Sequence, residues 1–418
     1  MRIRWGTAVV IVGCVVLWCV AAPVGAQDPE AHIQPVDPTD PTEPIESIEP
    51  GESSELAESH QELEETSEEP EPWLPIEMLG ASVEPGRTAR LVLRSSEGFA
   101  GGHIETPVVV MHGTMRGPRL CLVAGVHGDE VNGVEIIRRV LQNDGNSMQL
   151  QGTLVAVPIA NLSAFRRGSR YLPDRRDLNR YFPGRIDGSS ASRIAYRLFH
   201  NVIRHCDAVV DIHTGSFHRT NLHQVRADLV DEDTADLAKA YGAEVIVNNP
   251  GRPGTLRRAA NDVGIPAITI EAGEPARFNE QIVKEATVAI SRLIYNLGMS
   301  NESPSWLERT KTAVAYWSTR WVRCNTGGVL VSNVQLGDTV EKGALLGVVS
   351  DPISDEVDKI RAPFDGRIIG MALDQLVMPG FAAYHLAMDE AHTEETPADL
   401  YGESVEEPEG VDLEERPE

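Results

Sequence analysis

His127-Gly128-Asp129-Glu130 is the first stretch of this chain whose residue types and spacing could do chemistry. A histidine and a glutamate three apart on a turn can aim an imidazole nitrogen and a carboxylate oxygen at one point. Both are donors that Zn2+ accepts at about 2.0 to 2.2 Å. Gly128 leaves room for a close approach. Alone, such a pair is a common chance pattern, and a loop histidine beside solvated acids explains it as well. Two further segments end in a similar way. Asp207-Ala-Val-Val-Asp-Ile-His213 is an apolar run that delivers a histidine into a Thr-Gly-Ser turn, and Pro266-Ala-Ile-Thr-Ile-Glu271 delivers a glutamate into Ala272-Gly273. Singly, these are a strand-capping histidine and a carboxylate satisfying nearby amides. Together, the three ends point to one Zn2+ per chain on His127, Glu130 and His213. A fourth position stays open for water, whose pKa falls from 15.7 to about 7 on the metal. Glu271 is then the general base that passes a proton to a leaving amine.

Water attacking an amide carbonyl generates an oxyanion, so a cationic group has to face the same point. The segment 166–184, RRGSRYLPDRRDLNRYFPG, mixes basic residues with Pro and Gly, which makes it a loop over a sheet end and not a helix. Arg170 is the candidate for the scissile carbonyl. Asn179 and Arg180 offer an amide and a guanidinium fork for a substrate carboxylate. Arg166, Arg167, Arg175 and Arg176 read as solvated residues, or as partners of Asp174 and Asp177. His218, Arg219, Asn221 and Arg226, just beyond His213, either line the same pocket or form a surface hairpin.

These residues need a frame. Strand-like runs recur at 107–111, 120–126, 153–158, 208–212, 244–247 and 267–270, and helical patterns fall at 131–141, 192–204, 235–241 and 279–297. Apolar strands alternating with amphipathic helices predict an α/β domain whose mostly parallel or mixed sheet is covered by helices on both faces. Ligands in such sheets collect at the carboxyl ends of strands, where the candidate residues fall.

The chain's net charge of −26 belongs to its ends. Residues 27–72 hold sixteen acidic residues and no Lys or Arg, and residues 389–418 hold thirteen against Arg416 alone. Both predict solvated acidic segments. Residues 73–388 balance at 34 acidic and 34 basic, which argues against a nucleic-acid partner. Arg2 and Arg4 precede an apolar run from Trp5 to Ala22 and the small residues Val24-Gly25-Ala26, so residues 1–26 read as an export signal. A membrane contact is expected only if that segment stays uncleaved. Periplasmic location follows. Beyond the signal remain Cys121, Cys206 and Cys324; one pair is possible in an oxidising compartment, but Cys121 and Cys206 at strand starts are expected as buried thiols, with neither a disulfide framework nor a cysteine metal site.

The ordered set HGDE, RYLPDRRDLNRYFPG, DIHTGS and TIEAGE resembles the succinylglutamate desuccinylase and aspartoacylase family, relatives of the zinc carboxypeptidases, over about Pro107 to Met388. The resemblance implies a zinc-carboxypeptidase-like mixed sheet and zinc held by His127, Glu130 and His213. It implies Glu271 as base and proton shuttle, Arg170 at the carbonyl, and Asn179 with Arg180 on the substrate carboxylate. The named enzymes are intracellular, so their substrate choice does not carry over to a chain with an export signal.

From Ala313 to Met388 short strands alternate with turn signals, which predicts a small β barrel or sandwich at 305–388 behind a catalytic domain at 73–304. The phrases GDTVEKG and APFDG resemble a biotinyl or lipoyl carrier domain. Lys359 lies too close to Ala362-Pro363 to sit at a hairpin tip, so the fold is expected without the modification. The function predicted is an exported zinc amidohydrolase acting on N-acyl amino acids or similar small carboxylates. A carboxypeptidase or amidase trimming cell-wall peptides would use the same residues. A binding protein that keeps the fold without turnover is the alternative from another class.

Overall fold

The computed structural model describes residues 73–97, 102–143, 149–301, 312–354 and 356–388. The export signal, the two acidic segments and the boundary expected at residue 304 lie outside them. The described residues begin with antiparallel strands: the short pair β1 (Ile76–Met78) and β2 (Ala81–Val83), then β3 (Arg87–Glu97) and β4 (His103–His112). β5 (Met115–Ala124), α1 (Val131–Asn143) and β6 (Gln151–Val157) follow. The one-turn helix α2 (Leu162–Phe165) leads into the basic loop, and α3 (Ser190–Asn201) returns the chain to β7 (Ala208–His213) and β8 (Arg219–Ala227). Next come α4 (Glu232–Tyr241), β9 (Val245–Asn248), α5 (Leu256–Asn261), β10 (Ala267–Gly273) and α6 (Glu280–Asn296). The rest is β: β11 (Val314–Tyr316), β12 (Thr319–Arg323), β13 (Gly328–Ser332), β14 (Thr339–Val340) and β15 (Leu345–Ser350). β16 (Val357–Arg361), β17 (Gly366–Ala372), β18 (Gln375–Val377) and β19 (Ala382–Met388) complete it.

Thirteen strands form one mixed sheet, in the order β12-β19-β17-β8-β10-β7-β5-β6-β4-β3, with β9, β11 and β14 joined beside it. β10, β7, β5 and β6 run parallel, and β8 is antiparallel to β10. Apolar runs here are continuous because both faces are covered. Along β5, Leu120, Leu122 and Ala124 pack with Ile136 of α1, Leu237 of α4 and Ile290 of α6. Cys121 and Val123 between them pack with Leu198 of α3 and Leu256 of α5. The face expected on the helix before β7 is buried as a unit: Ile194, Leu198, Phe199, Val202 and Ile203 are at most 3 % exposed. That helix ends at Asn201, and a 3-10 turn at Ile203–His205 carries the remainder.

The C-terminal strands divide between two sheets. β16-β15-β13-β18 is separate, while β12, β19 and β17 extend the main sheet through the β17–β8 pairing. Leu330, Leu346 and Ile360 on one side meet Ile368, Tyr384 and Leu386 on the other, which is a sandwich core. Lys359 sits in mid-strand opposite Val348, away from any hairpin tip. The segment left open as a surface hairpin is β8. It is an interior strand, bonded to β10 on one edge and to β9 and β17 on the other.

The buried-thiol reading of Cys121 and Cys206 is corrected, and the one possible pair is these two. Cys121 and Cys206 form a disulfide with their Cα atoms 5.9 Å apart, and Cys324 stays a buried free thiol. β5 and β7 are adjacent parallel strands with Leu120 opposite Ala208, so two cysteines near the strand starts meet. Spacing along the chain does not reveal that adjacency. Cys206→Ser is expected to lower unfolding stability by about 2–4 kcal/mol. Urea unfolding with and without reductant checks it; equal midpoints for wild type in the two conditions would count against a stabilising bridge.

Candidate active site

His127 follows the end of β5, Glu130 immediately precedes α1, and His213 is the last residue of β7. The three side chains converge and are buried. His127 Nδ1 lies 2.7 Å from Glu130 Oε1, His213 Nδ1 lies 3.0 Å from Glu130 Oε2, and the two Nδ1 atoms are 3.2 Å apart. Gly128 is required here, since a methyl group would overlap the backbone of Ala164 and Phe165.

Two aspartates stand behind the imidazoles. Asp177 Oδ1 is 3.0 Å from His127 Nε2. Asp211 Oδ2 is 2.8 Å from His213 Nε2, close enough for an ion pair although the groups are not aligned as a hydrogen bond. Each carboxylate favours a proton on the outer ring nitrogen and turns the Nδ1 lone pair inward. Two inward lone pairs and a carboxylate need a shared proton or a cation between them. The donor set of two nitrogens and one oxygen is one that zinc accepts, and tetrahedral bonds of about 2.1 Å would space the donors by about 3.4 Å. The 3.2 Å between the two Nδ1 atoms is close to that, the two Glu130 oxygens stand nearer, at 2.7 Å from His127 Nδ1 and 3.0 Å from His213 Nδ1, and one ligand atom from each residue lies within 4.8 Å of the others. These residues therefore fit a metal ion.

The electrostatics agree. Burial and the Arg170 guanidinium disfavour the charged form of His127, but Glu130 and Asp177 outweigh them and its pKa is pushed up to about 9. Burial likewise opposes the charged form of His213, and Asp211 and Glu130 override it, so its pKa is raised well above the ordinary value. Burial would raise Glu130; the two imidazoles instead hold it well below the usual carboxylate range. Protons and a metal ion thus compete for one set of atoms.

Arg170 is 8 % exposed, and its Nη1 is 3.2 Å from His127 Nδ1 and 3.3 Å from Glu130 Oε1, while Nη2 donates to Asp177 at 3.2 Å. Asn179 Oδ1 accepts from the Leu256 amide at 2.9 Å, and Arg180 lines the same cavity as the triad. Glu271 is level with His213 across the β10–β7 pairing and is 6 % exposed. Its Oε2 accepts from Asn221 Nδ2 at 2.9 Å, and its Oε1 is 3.4 Å from Arg226 Nε. All seven site residues expected from the sequence line this one cavity.

Arg166, Arg167 and Arg175 are exposed and Arg176 pairs with Asp174 at 2.9 Å, as the solvated reading had it. Of the four residues after His213, Arg219, Asn221 and Arg226 line the cavity and His218 does not. The sequence reading missed Asp211, although two residues before a strand-end histidine puts it on the histidine's side of the strand. Arg257, Thr269 and Trp321 also line the cavity without a signal that marked them. Trp321 comes from β12, so the C-terminal half contributes a wall.

A mixed α/β sheet gathers two imidazoles, two glutamates and several guanidinium groups at its strand ends, which defines an α/β protein with a candidate metal centre. Residues 116–297 match the succinylglutamate desuccinylase/aspartoacylase catalytic domain. It is 26 % identical over 289 residues to the N-alpha-acetyl-L-2,4-diaminobutyric acid deacetylase of Halomonas elongata, covering 65 % of this chain and 82 % of that one. It is 27 % identical over 181 residues to the succinylglutamate desuccinylase of Pseudomonas aeruginosa, covering 39 % of this chain and 53 % of the relative. Among solved structures, the product-bound ectoine utilization protein EutE of Ruegeria pomeroyi superposes with a TM-score of 0.65 at 25 % identity, covering 72 % of this chain and 95 % of that one.

Proposed function

We propose that this chain is an exported, zinc-dependent deacylase that hydrolyses the amide bond of N-acyl amino acids or similar small carboxylates. The observation that carries the reading is the convergence of His127, Glu130 and His213 in one buried cavity with Glu271 and Arg170. His127, Glu130 and His213 would hold the ion. When bound, it supplies Lewis acidity and lowers the pKa of a water molecule from 15.7 to about 7.

The chain's residues do the rest. Arg180, with the Asn179 amide, holds the substrate carboxylate and so orients the acyl nitrogen. Glu271 takes the proton of the attacking water and returns it to the leaving amine nitrogen. Arg170, beside the triad, meets the negative charge that develops on the carbonyl oxygen, and burial of the site strengthens that interaction. Arg219, Arg226 and Arg257 make the lining basic, which suits an anionic substrate. The Cys121–Cys206 disulfide supports an oxidising compartment and hence export.

Zinc-loaded protein offered a panel of N-acyl amino acids and muropeptides is expected to release the free amino acid from at least one of the former. A chelator should abolish the release and added Zn2+ should restore it. Release from muropeptides alone would replace the reading by cell-wall trimming, and no release from either would replace it by binding without turnover.

A further inference from the structure

Asn221 is a polar residue in the middle of the sheet, 4 % exposed, and its side-chain amide donates to the carboxylate of Glu271. It reaches that carboxylate through an irregularity in the sheet. β8 and β10 pair regularly from Thr269↔Arg226 to Glu271↔Gln224, then shift register, so that Asn221 comes opposite Gly273. Such a shift re-aims side chains next to it, and here the Asn221 amide is turned onto Glu271 Oε2. A neutral donor at 2.9 Å fixes the rotation of the carboxylate without adding a charge. Arg226, two residues beyond Gln224 on the same strand face, stands 3.4 Å from the other oxygen.

The position of Asn221 is in turn set from the C-terminal half. β17 pairs with β8 so that Gly370 is directly opposite Asn221, and Gly370 is opposite His385 on its other side. A Cβ on Gly370 would stand 2.7 Å from Asn221 Oδ1, 3.3 Å from His385 Cβ and 3.6 Å from the Trp321 ring. The backbone of β17 therefore closes on Asn221 with no space for a side chain. Behind it the Trp321 and His385 rings are stacked, 4.6 Å between centroids and 6° between planes, and the Arg219 guanidinium covers Trp321 at 5.3 Å. One row across the sheet thus runs from Gly273 through Asn221 and Gly370 to His385 and Trp321, and the Asn221 side chain reaches from it to Glu271, which pairs with His213 in the neighbouring row.

We infer that Asn221 is the positioning residue for Glu271, and that Gly370 of the C-terminal half holds Asn221 in register for that task. The inference rests on Glu271 acting as the base of the proposed deacylase. A base must lie within hydrogen-bond reach of the proton it takes, and small misplacements cost about a hundredfold in rate. Asn221 acts on the orientation of that one carboxylate, and substrate is held elsewhere, by Asn179 and Arg180.

The test is a set of steady-state measurements on zinc-loaded full-length protein, with the best N-acyl amino acid of the panel as substrate. Asn221→Ala is expected to lower kcat by about 10- to 100-fold with KM within twofold of wild type and zinc content unchanged. Gly370→Ala, which touches neither substrate nor Glu271, should lower kcat in the same direction. The decisive readout is non-additivity: adding Asn221→Ala to Glu271→Gln should cost less than about twofold more, because the group Asn221 orients is already disabled. Full multiplication of the two losses, an unchanged kcat in Asn221→Ala, or a loss confined to KM would each overturn the inference while leaving the deacylase reading in place. A wild type without hydrolysis overturns both. If Asn221→Ala does not fold, Asn221→Ser and Gly370→Ala carry the same comparison.

Discussion

Glu271→Gln is expected to lower kcat by about 10²- to 10⁴-fold, the range that removal of a general acid–base residue spans. The amide has the shape of the carboxylate and can still accept from Asn221, so the pocket wall is preserved; what disappears is the ability to take a proton. KM and zinc content should therefore change little. Steady-state kinetics with metal analysis on the same preparation tests this. A variant that keeps more than a tenth of wild-type kcat would reject Glu271 as the base, whatever its place beside the triad.

His213→Ala should have an effect of similar size by another route. It removes one of three converging donors and leaves Glu130 buried with a single imidazole partner, so zinc content is expected to fall below one ion per chain and hydrolysis with it. The same site carries a pH signature. The folded-state pKa of His127, about 9, lies above its ordinary 6.5. The proton it holds thus stabilises the zinc-free fold fully below about pH 6.5, and that contribution is lost as pH rises through about 9. Zinc must displace such protons, so its apparent affinity should climb over the same window. Thermal melts of chelator-treated protein are expected to drop from pH 6.5 to 9 while the shift gained on adding zinc grows. In His213→Ala that gain should shrink to near zero; a full gain would remove His213 from the ligand set.

The parts of the molecule that could be read from the chain are those where residue type follows burial. β5, β7 and β10 are apolar runs because helices cover both of their faces, and α3 shows its face at helical spacing, so frame and ligands were legible together. β8 was not. Its site-facing positions are Arg219, Asn221 and Arg226 instead of apolar residues, since that face belongs to the chemistry, and the alternation that marks a strand is lost. The continuation of the main sheet into the C-terminal half was hidden for a related reason: β17 joins β8 across a long stretch of chain, and pairing of this kind leaves no local pattern. Trp321, set in place by that join, could not be assigned to the cavity from its neighbours in sequence. Asp177 and Asp211 were legible as residue types but not as partners, because their meaning depends on which ring nitrogen they face.

One consequence of the Cys121–Cys206 bridge reaches the far end of the same two strands. The bridge ties β5 to β7 near their starts, and His127 with His213 sits at their finishing ends. Sulfur and zinc would thus fasten one pair of strands at opposite extremities, and two fasteners on one element are thermodynamically reciprocal. Whatever factor oxidation contributes to ion retention, ion retention returns to the redox equilibrium of the thiols. Material prepared in a reducing cytosol is accordingly a different reagent from material recovered through an oxidising compartment, and titrations on the two should be compared only after their thiol content has been matched.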